Sequence, residues 1–301
     1  MGAAFEKIIP IVLVFAFGYL LKAGKVLDKT DGDTLLKVFF NVSVPALIFL
    51  SVSQMHLTLE LLWLPVIAVL IILISYFSAH SCGKALHLPR PAHGSFLVSV
   101  LVMNVAFSYP FLLATGGEEG LALVSLFDFG NTFIVWTFTY FLACKYGPNS
   151  ASMAVMLRKF ASSPPLLSLF CALIMNQSHL ELPDLIVQFF RMLGHLSTPL
   201  MMLALGIFFR PKISQKGAVF TAVFLRMGGG LLLGYLLSYL AGLEGLPRVV
   251  VLVASCSPAG ITSLVFTAME DLDQELAAGI ISYSVLGGLI LVPILLQLTP
   301  R

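Results

Sequence analysis

Long apolar runs separated by short polar breaks make up nearly the whole chain. Ten such runs stand out, at 5–21, 35–54, 61–82, 94–115, 120–144, 160–178, 184–209, 217–241, 247–268 and 276–298. Each is close to the 17–25 residues with which an α-helix crosses about 30 Å of hydrocarbon. The runs are continuous rather than alternating, which excludes the in-out pattern of barrel strands. The pattern predicts an all-α integral membrane protein with ten transmembrane helices. No loop is long enough to hold a separate domain. Lys22 and Lys25 follow the first run and no small-residue cleavage site is apparent, so that run reads as a helix rather than a cleavable signal peptide.

Composition narrows the function classes. Of 301 residues, 58% are hydrophobic and 11% charged, with a mean hydropathy of +0.98. A soluble domain carries about 45–50% apolar and about 25% charged residues. The net charge of +2 is too small for a nucleic-acid partner. Cys82, Cys144, Cys171 and Cys256 form no CxxC pair, so neither a disulfide framework nor a metal site is expected. Gly228-Gly229-Gly230 with Gly234 suits close helix packing and is no nucleotide fingerprint; no cofactor is expected. An intramembrane aspartyl protease needs two membrane carboxylates and only Asp128 qualifies, so no catalytic residue and no enzyme are expected.

Charge placement sets the orientation. Twelve of the seventeen Lys and Arg residues fall on one side, from Lys22, Lys25, Lys29 and Lys37 to Arg210, Lys212 and Lys216. The positive-inside rule puts that side in the cytoplasm and both termini outside it, in an inner or plasma membrane. The acidic Glu270–Glu275 segment falls on the cytoplasmic side and reads as a solvated cap on the tenth helix. His80, His87 and His93 read as solvated loop residues, His195 as a packed neutral side chain. Asn176-Gln177-Ser178 is a glycosylation sequon on the outer side.

The chain also repeats weakly. Pro10 matches Pro165, Asn41-Val42-Ser43-Val44-Pro45 matches His195-Leu196-Ser197-Thr198-Pro199, and Leu121-Ala122 matches Leu276-Ala277, at offsets of 154 to 155. Two halves of five helices, 1–148 and 149–301, follow. Five is odd, so the second half sits inverted, an arrangement that puts a substrate site near the midplane.

Polar residues inside the runs mark candidate chemistry. A mid-membrane charge costs at least about 2.5–3.5 kcal/mol and normally faces a cavity or a partner. Asp128 is either a proton or cation site or an acid that fixes helix packing, and Asn131 shares its helical face. Arg226 cannot release its proton and reads as a structural brace for carbonyls. The fourth run carries Asn104 and Pro110, and the ninth carries Ser257-Pro258-Ala259-Gly260. Pro, hydroxyls and small residues at these places predict broken helices whose freed backbone groups line a cavity. At an offset of 155, Asn104 corresponds to Ala259. Asn104, Ser43, Pro258, Ala259 and Gly260 are the substrate-binding candidates, with Pro45 and Pro110 as structural breaks.

Several of these motifs resemble those of the auxin efflux carrier family, the plant PIN carriers and their bacterial and fungal relatives. The residues are Pro10, Gly18-Tyr19-Leu20-Leu21, Gly24-Lys25-Val26-Leu27, Val44-Pro45-Ala46-Leu47-Ile48-Phe49, Asn104 with Pro110, Leu225-Arg226, Gly242-Leu243-Glu244-Gly245 and Ser257-Pro258-Ala259-Gly260. The resemblance covers the chain in order. It implies ten helices in two inverted five-helix repeats, with helices 4 and 9 crossing where each is broken. It also implies a substrate held between a scaffold and a transport bundle, with Asn104 as a binding residue. The family's polar residue after the ninth-helix Pro is Ala259 here, and the 15-residue fifth loop lacks the long hydrophilic segment of the longer plant carriers. The bacterial branch, associated with small carboxylates such as malate, is the better match.

The sequence thus predicts a secondary transporter of small organic anions working by alternating access. The expected partners are the anion, membrane lipid and, as an option, a second copy of the chain. The alternative is a membrane-embedded ligand sensor with a transporter-like fold.

Overall fold

The computed structural model describes residues 2–55, 58–147, 164–178, 182–209 and 215–298. The proposed boundary between halves, at 148 and 149, lies outside the described residues. Among those described, helices and short connections account for everything except one isolated β-bridge.

Helix α1 spans Gly2–Ala23. Helix α2, Lys29–Val38, opens on a capping box in which Asp28 accepts from Thr30 and Asp31 N–H groups and Asp31 returns the bond. A π turn, Phe39–Ser43, joins it to α3, Val44–Ser53. Pro45 explains that wide turn: it has no N–H to give to the carbonyl of residue 41, so the ladder is re-registered around it. After a short 3-10 turn comes α4, Trp63–Ala85. Helix α5, Arg90–Leu101, stops short, and α6, Val105–Ile134, follows after three non-helical residues. A π turn, Val135–Thr139, leads into α7, Tyr140–Tyr146.

The chain from Pro164 onward is again helical. It comprises α8 (Pro164–Ser178), α9 (Asp184–His195), α10 (Ser197–Phe208), α11 (Lys216–Val223), α12 (Gly230–Leu240), α13 (Gly245–Ser255), α14 (Thr262–Met269) and α15 (Gln274–Leu298). A third π turn, Phe224–Gly229, separates α11 from α12 and carries Arg226.

Among the described residues, six segments are long and apolar enough to cross a membrane: Lys29–Ser53, Leu59–Ala85, Val105–Tyr146, Asp184–Phe208, Lys216–Leu240 and Gln274–Leu298. Their bounds track the predicted runs, but Lys29–Ser53 starts six residues before the run 35–54 because the polar capping box makes Lys29–Leu35 helical. At 1.5 Å per residue, Val105–Tyr146 is about twice a bilayer in length. It is not one straight helix. Gly117 (φ 62°, ψ −153°) breaks it, and α6 folds back so closely that the carbonyl of Leu112 lies against Gly120.

The helices pack in two groups. In one, α1 lies on α10, α3 on α8 and α9, and α2 on α10. The first contact depends on Gly18 and Gly206, where a Cβ would collide with the facing backbone of Leu203 and Phe15. In the other group, α4 and α13 pack on α6, α5 on α4, α7 and α15, and α11 on α15. Buried Leu, Ile, Val and Phe side chains form one continuous core through both groups.

Candidate functional site

Both broken helices are interrupted at mid-chain polar motifs, and the interruptions meet. Val102–Asn104 follows α5, and Cys256–Ile261 follows α13. Met103 and Ala259 pair as an antiparallel bridge: Asn104 N–H donates to Pro258 O (2.8 Å) and Gly260 N–H donates to Val102 O (2.9 Å). These two bonds exchange when positions 156 apart are interchanged, Asn104 with Gly260 and Val102 with Pro258. The offset of 155 predicts Asn104 opposite Ala259, whereas the bridge relates it to Gly260. The stretch from Ser255 to Gly260 is one residue longer than that from Val100 to Asn104, since Val100 and Ser255 still match at 155.

Unwinding redirects backbone donors, and their old acceptors need new partners. In an unbroken helix Asn104 N–H would serve Val100 O, and Ala259 N–H would serve Ser255 O. Asn104 N–H instead goes to Pro258, and Ala259 N–H to Ser284 Oγ (3.0 Å). Arg226, fully buried, supplies both replacements: one guanidinium nitrogen donates to Val100 O (3.0 Å), the other to Ser255 O (2.7 Å). No carboxylate of the described residues lies within 4 Å of it.

On the other face of the crossing is a cavity of about 480 Å³. Its wall includes Met103, Asn104, Gly260 and Thr262 from the crossing, Asp128, Asn131 and Thr132 from α6, and Asp33, Lys37 and Asn41 from α2 and the π turn beyond it. Asn104 is the N-cap of α6, its Oδ1 accepting from Phe107 N–H (3.3 Å). Its Nδ2 is buried and has no partner among the described residues. The first residues of α6 (Val105, Ala106) and the start of α14 (Ile261, Thr262) also line the cavity, so two helix N-termini face it.

Asp128 is held by three donors: Tyr109 OH (3.0 Å) on Oδ2, and Asn131 Nδ2 (2.8 Å) and Thr132 Oγ (3.5 Å) on Oδ1. Asn131 Nδ2 also reaches Met103 O (3.4 Å), so the carboxylate is tied to the crossing. Asp128 stands between this cavity and an apolar chamber of about 290 Å³ that also borders Tyr109, Ser125, Phe129 and α8. A wider crevice of about 990 Å³, bordered by Lys22, Lys29, Gln274 and Glu275, shares Asp33, Ile261 and Val265 with the cavity.

Of the predicted site residues, Asn104, Gly260, Asp128 and Asn131 come together. Ser43, Pro258 and Ala259 are buried beside the site without lining the cavity. Ser43 closes the π turn before α3, Pro258 contributes its carbonyl to the bridge, and Ala259 points its N–H at Ser284. Pro45 gives its carbonyl to Ser168 Oγ (2.5 Å), and Pro110 is buried within α6. Sequence reasoning missed Tyr109, Thr132, Lys37 and Thr262. Thr132 was available at four residues from Asp128; Tyr109 meets it only through the fold-back at Gly117.

Three smaller expectations need correction. Glu270 is fully buried rather than solvated, accepting from Tyr140 OH (2.7 Å), while Asp273 caps Leu276 N–H. His93 is buried, stacked on His80 with the Tyr146 ring tilted against it, at centroid distances of 5.2 and 5.1 Å, because α5 begins before it. His195 is exposed rather than packed. Asn176 of the sequon spends its amide on the carbonyls of Val52, Ser53 and Met55, where α3 ends.

Comparison with known proteins places the chain in a family. The family model described as membrane transport protein matches residues 3–296. An uncharacterised transporter of Methanocaldococcus jannaschii is 27% identical over 284 residues, covering 91% of each chain. Another, from Methanothermobacter thermautotrophicus, is 27% identical over 305 residues, covering 98% of this chain and 97% of its own. With two interrupted helices paired in the membrane and a family match from end to end, this integral membrane chain belongs to the membrane transport protein family, the family of the auxin efflux carriers that its motifs resemble.

Proposed function

We propose that the chain is a secondary active transporter of small organic anions, built as ten spanning helices in two inverted five-helix repeats and working by alternating access. The observation that carries this is Asn104, which lines a cavity faced by two helix N-termini and whose buried Nδ2 has no partner among the described residues. A buried donor without an acceptor is unfavourable by about 1–3 kcal/mol, a deficit that a carboxylate oxygen removes. The N-terminal ends of α6 and α14 carry partial positive charge toward the same space. The symmetric exchange of the two bridge bonds supports the inverted repeat.

In this reading α1–α3 with α8–α10 are the scaffold, and the bundle holding the crossing moves against them. The crevice beside Lys22 and Lys29 is the cytoplasmic approach to the site, with both termini on the opposite side. Asp128 takes up and releases the coupling proton, and its link to Met103 O through Asn131 relays its charge state to the crossing. Uptake of carboxylates that raise the melting temperature of the purified protein, measured in liposomes with and without a pH gradient, tests the proposal. Tight binding without uptake would identify a membrane-embedded sensor instead.

A further inference from the structure

A broken helix places two opposite partial charges beside its gap. The C-terminal end of the first half is negative by about half an elementary charge, and the N-terminal end of the second half is positive by the same amount. For an anion in the cavity, the negative ends of α5 and α13 would therefore cancel much of the attraction of α6 and α14. Arg226 touches both negative ends at once, through Val100 O and Ser255 O. Its whole charge is buried and meets no carboxylate among the described residues.

We propose that Arg226 determines the charge preference of the site: by offsetting the C-terminal ends of α5 and α13, it leaves the N-termini of α6 and α14 unopposed and selects an anion over its neutral isostere. This rests on the reading that a carboxylate occupies the cavity beside Asn104. Val100 is four residues before Asn104, so the guanidinium acts across roughly 10–14 Å. At an effective dielectric of about 20, one charge at that range changes anion affinity about tenfold and leaves a neutral ligand unaffected.

The test uses the full-length protein in detergent micelles and two probes of equal shape, benzoate and benzamide, with affinities measured by calorimetry. The unaltered protein prefers benzoate. In Arg226→Gln, which keeps hydrogen-bond donors without the charge, that preference falls about tenfold; in Arg226→Lys, which keeps the charge, it is retained. Equal weakening of both probes in Arg226→Gln, with an unchanged preference, assigns Arg226 to packing alone and overturns the proposal. Should Arg226→Gln fail to fold, the unaltered protein still decides, because equal affinity for the two probes is incompatible with it. Asn104→Ala separates the levels. Benzoate binding that is insensitive to Asn104 overturns the cavity reading itself. Binding lost in Asn104→Ala but with the same preference in Arg226→Gln overturns only the role of Arg226.

Discussion

Asp128 offers two substitutions whose consequences diverge. In Asp128→Leu the Tyr109 hydroxyl and the Asn131 amide each lose their acceptor in buried surroundings. An orphaned buried donor costs about 1–3 kcal/mol, and Met103 O at 3.4 Å is a poor substitute for Asn131, so the loss comes to about 2–4 kcal/mol. Asp128→Asn behaves differently. Its amide oxygen keeps one donor, and the tyrosine hydroxyl can turn to accept from its NH2. Asn131 can also rotate at the cost of only its 3.4 Å bond to Met103 O, because its Oδ1 has no partner among the described residues. The cost is then below about 1 kcal/mol. Unfolding of the purified proteins in mixed micelles measures both. A leucine variant within about 0.5 kcal/mol of the native protein would refute the assignment of these donors to Asp128. The asparagine variant also serves the functional question: it binds substrate, and its uptake loses dependence on the pH gradient. An unchanged pH profile in a folded Asp128→Asn protein excludes Asp128 as the coupling group.

Asn104→Ala weakens carboxylate binding by about 5–150-fold, and removal of the cap on Phe107 N–H lowers stability by about 1 kcal/mol; calorimetry and unfolding read the two effects separately. Gly206→Ala drives a methyl into the backbone of α1 and destabilises by about 1–3 kcal/mol or more, measured by unfolding, whereas the same change at Gly217, which has open space, is nearly silent. A cysteine introduced at position 149, outside the described residues, reacts with an impermeant reagent only from the cytoplasmic side; labelling in intact cells would reverse the orientation.

Much of the molecule can be read from one dimension, and the limits are physical. Helix existence follows from apolar run length, which is a local property, and Pro258 with its small neighbours signals a break because a missing N–H is local too. Asn104 and Gly260 were visible for that reason. Asp128 and Asn131 were visible because three residues along a helix is one face. Tyr109 was not, since its contact with Asp128, nineteen positions on in the next run, depends on how the chain reverses at Gly117. Glu270 looked solvated because its neighbours Asp271 and Asp273 are polar, yet Tyr140, 130 positions away, buries it. Ser43 drew attention through its match to Ser197, but a helical phase set by Pro45 keeps it out of the cavity lining.

The single guanidinium at the crossing also bears on how such a chain can evolve. Position 71, which stands 155 before Arg226, holds a fully buried isoleucine. On the inverted-repeat reading, two identical half-chains inserted in opposite orientations would bring either two arginines to one point or none. Two would repel by several kcal/mol at contact distance, and none would leave a pair of carbonyls orphaned. One arginine shared between the halves is open only to fused, diverged sequences. A chimera that duplicates either half should therefore fail to assemble, and the second half of this gene can no longer stand in for the first.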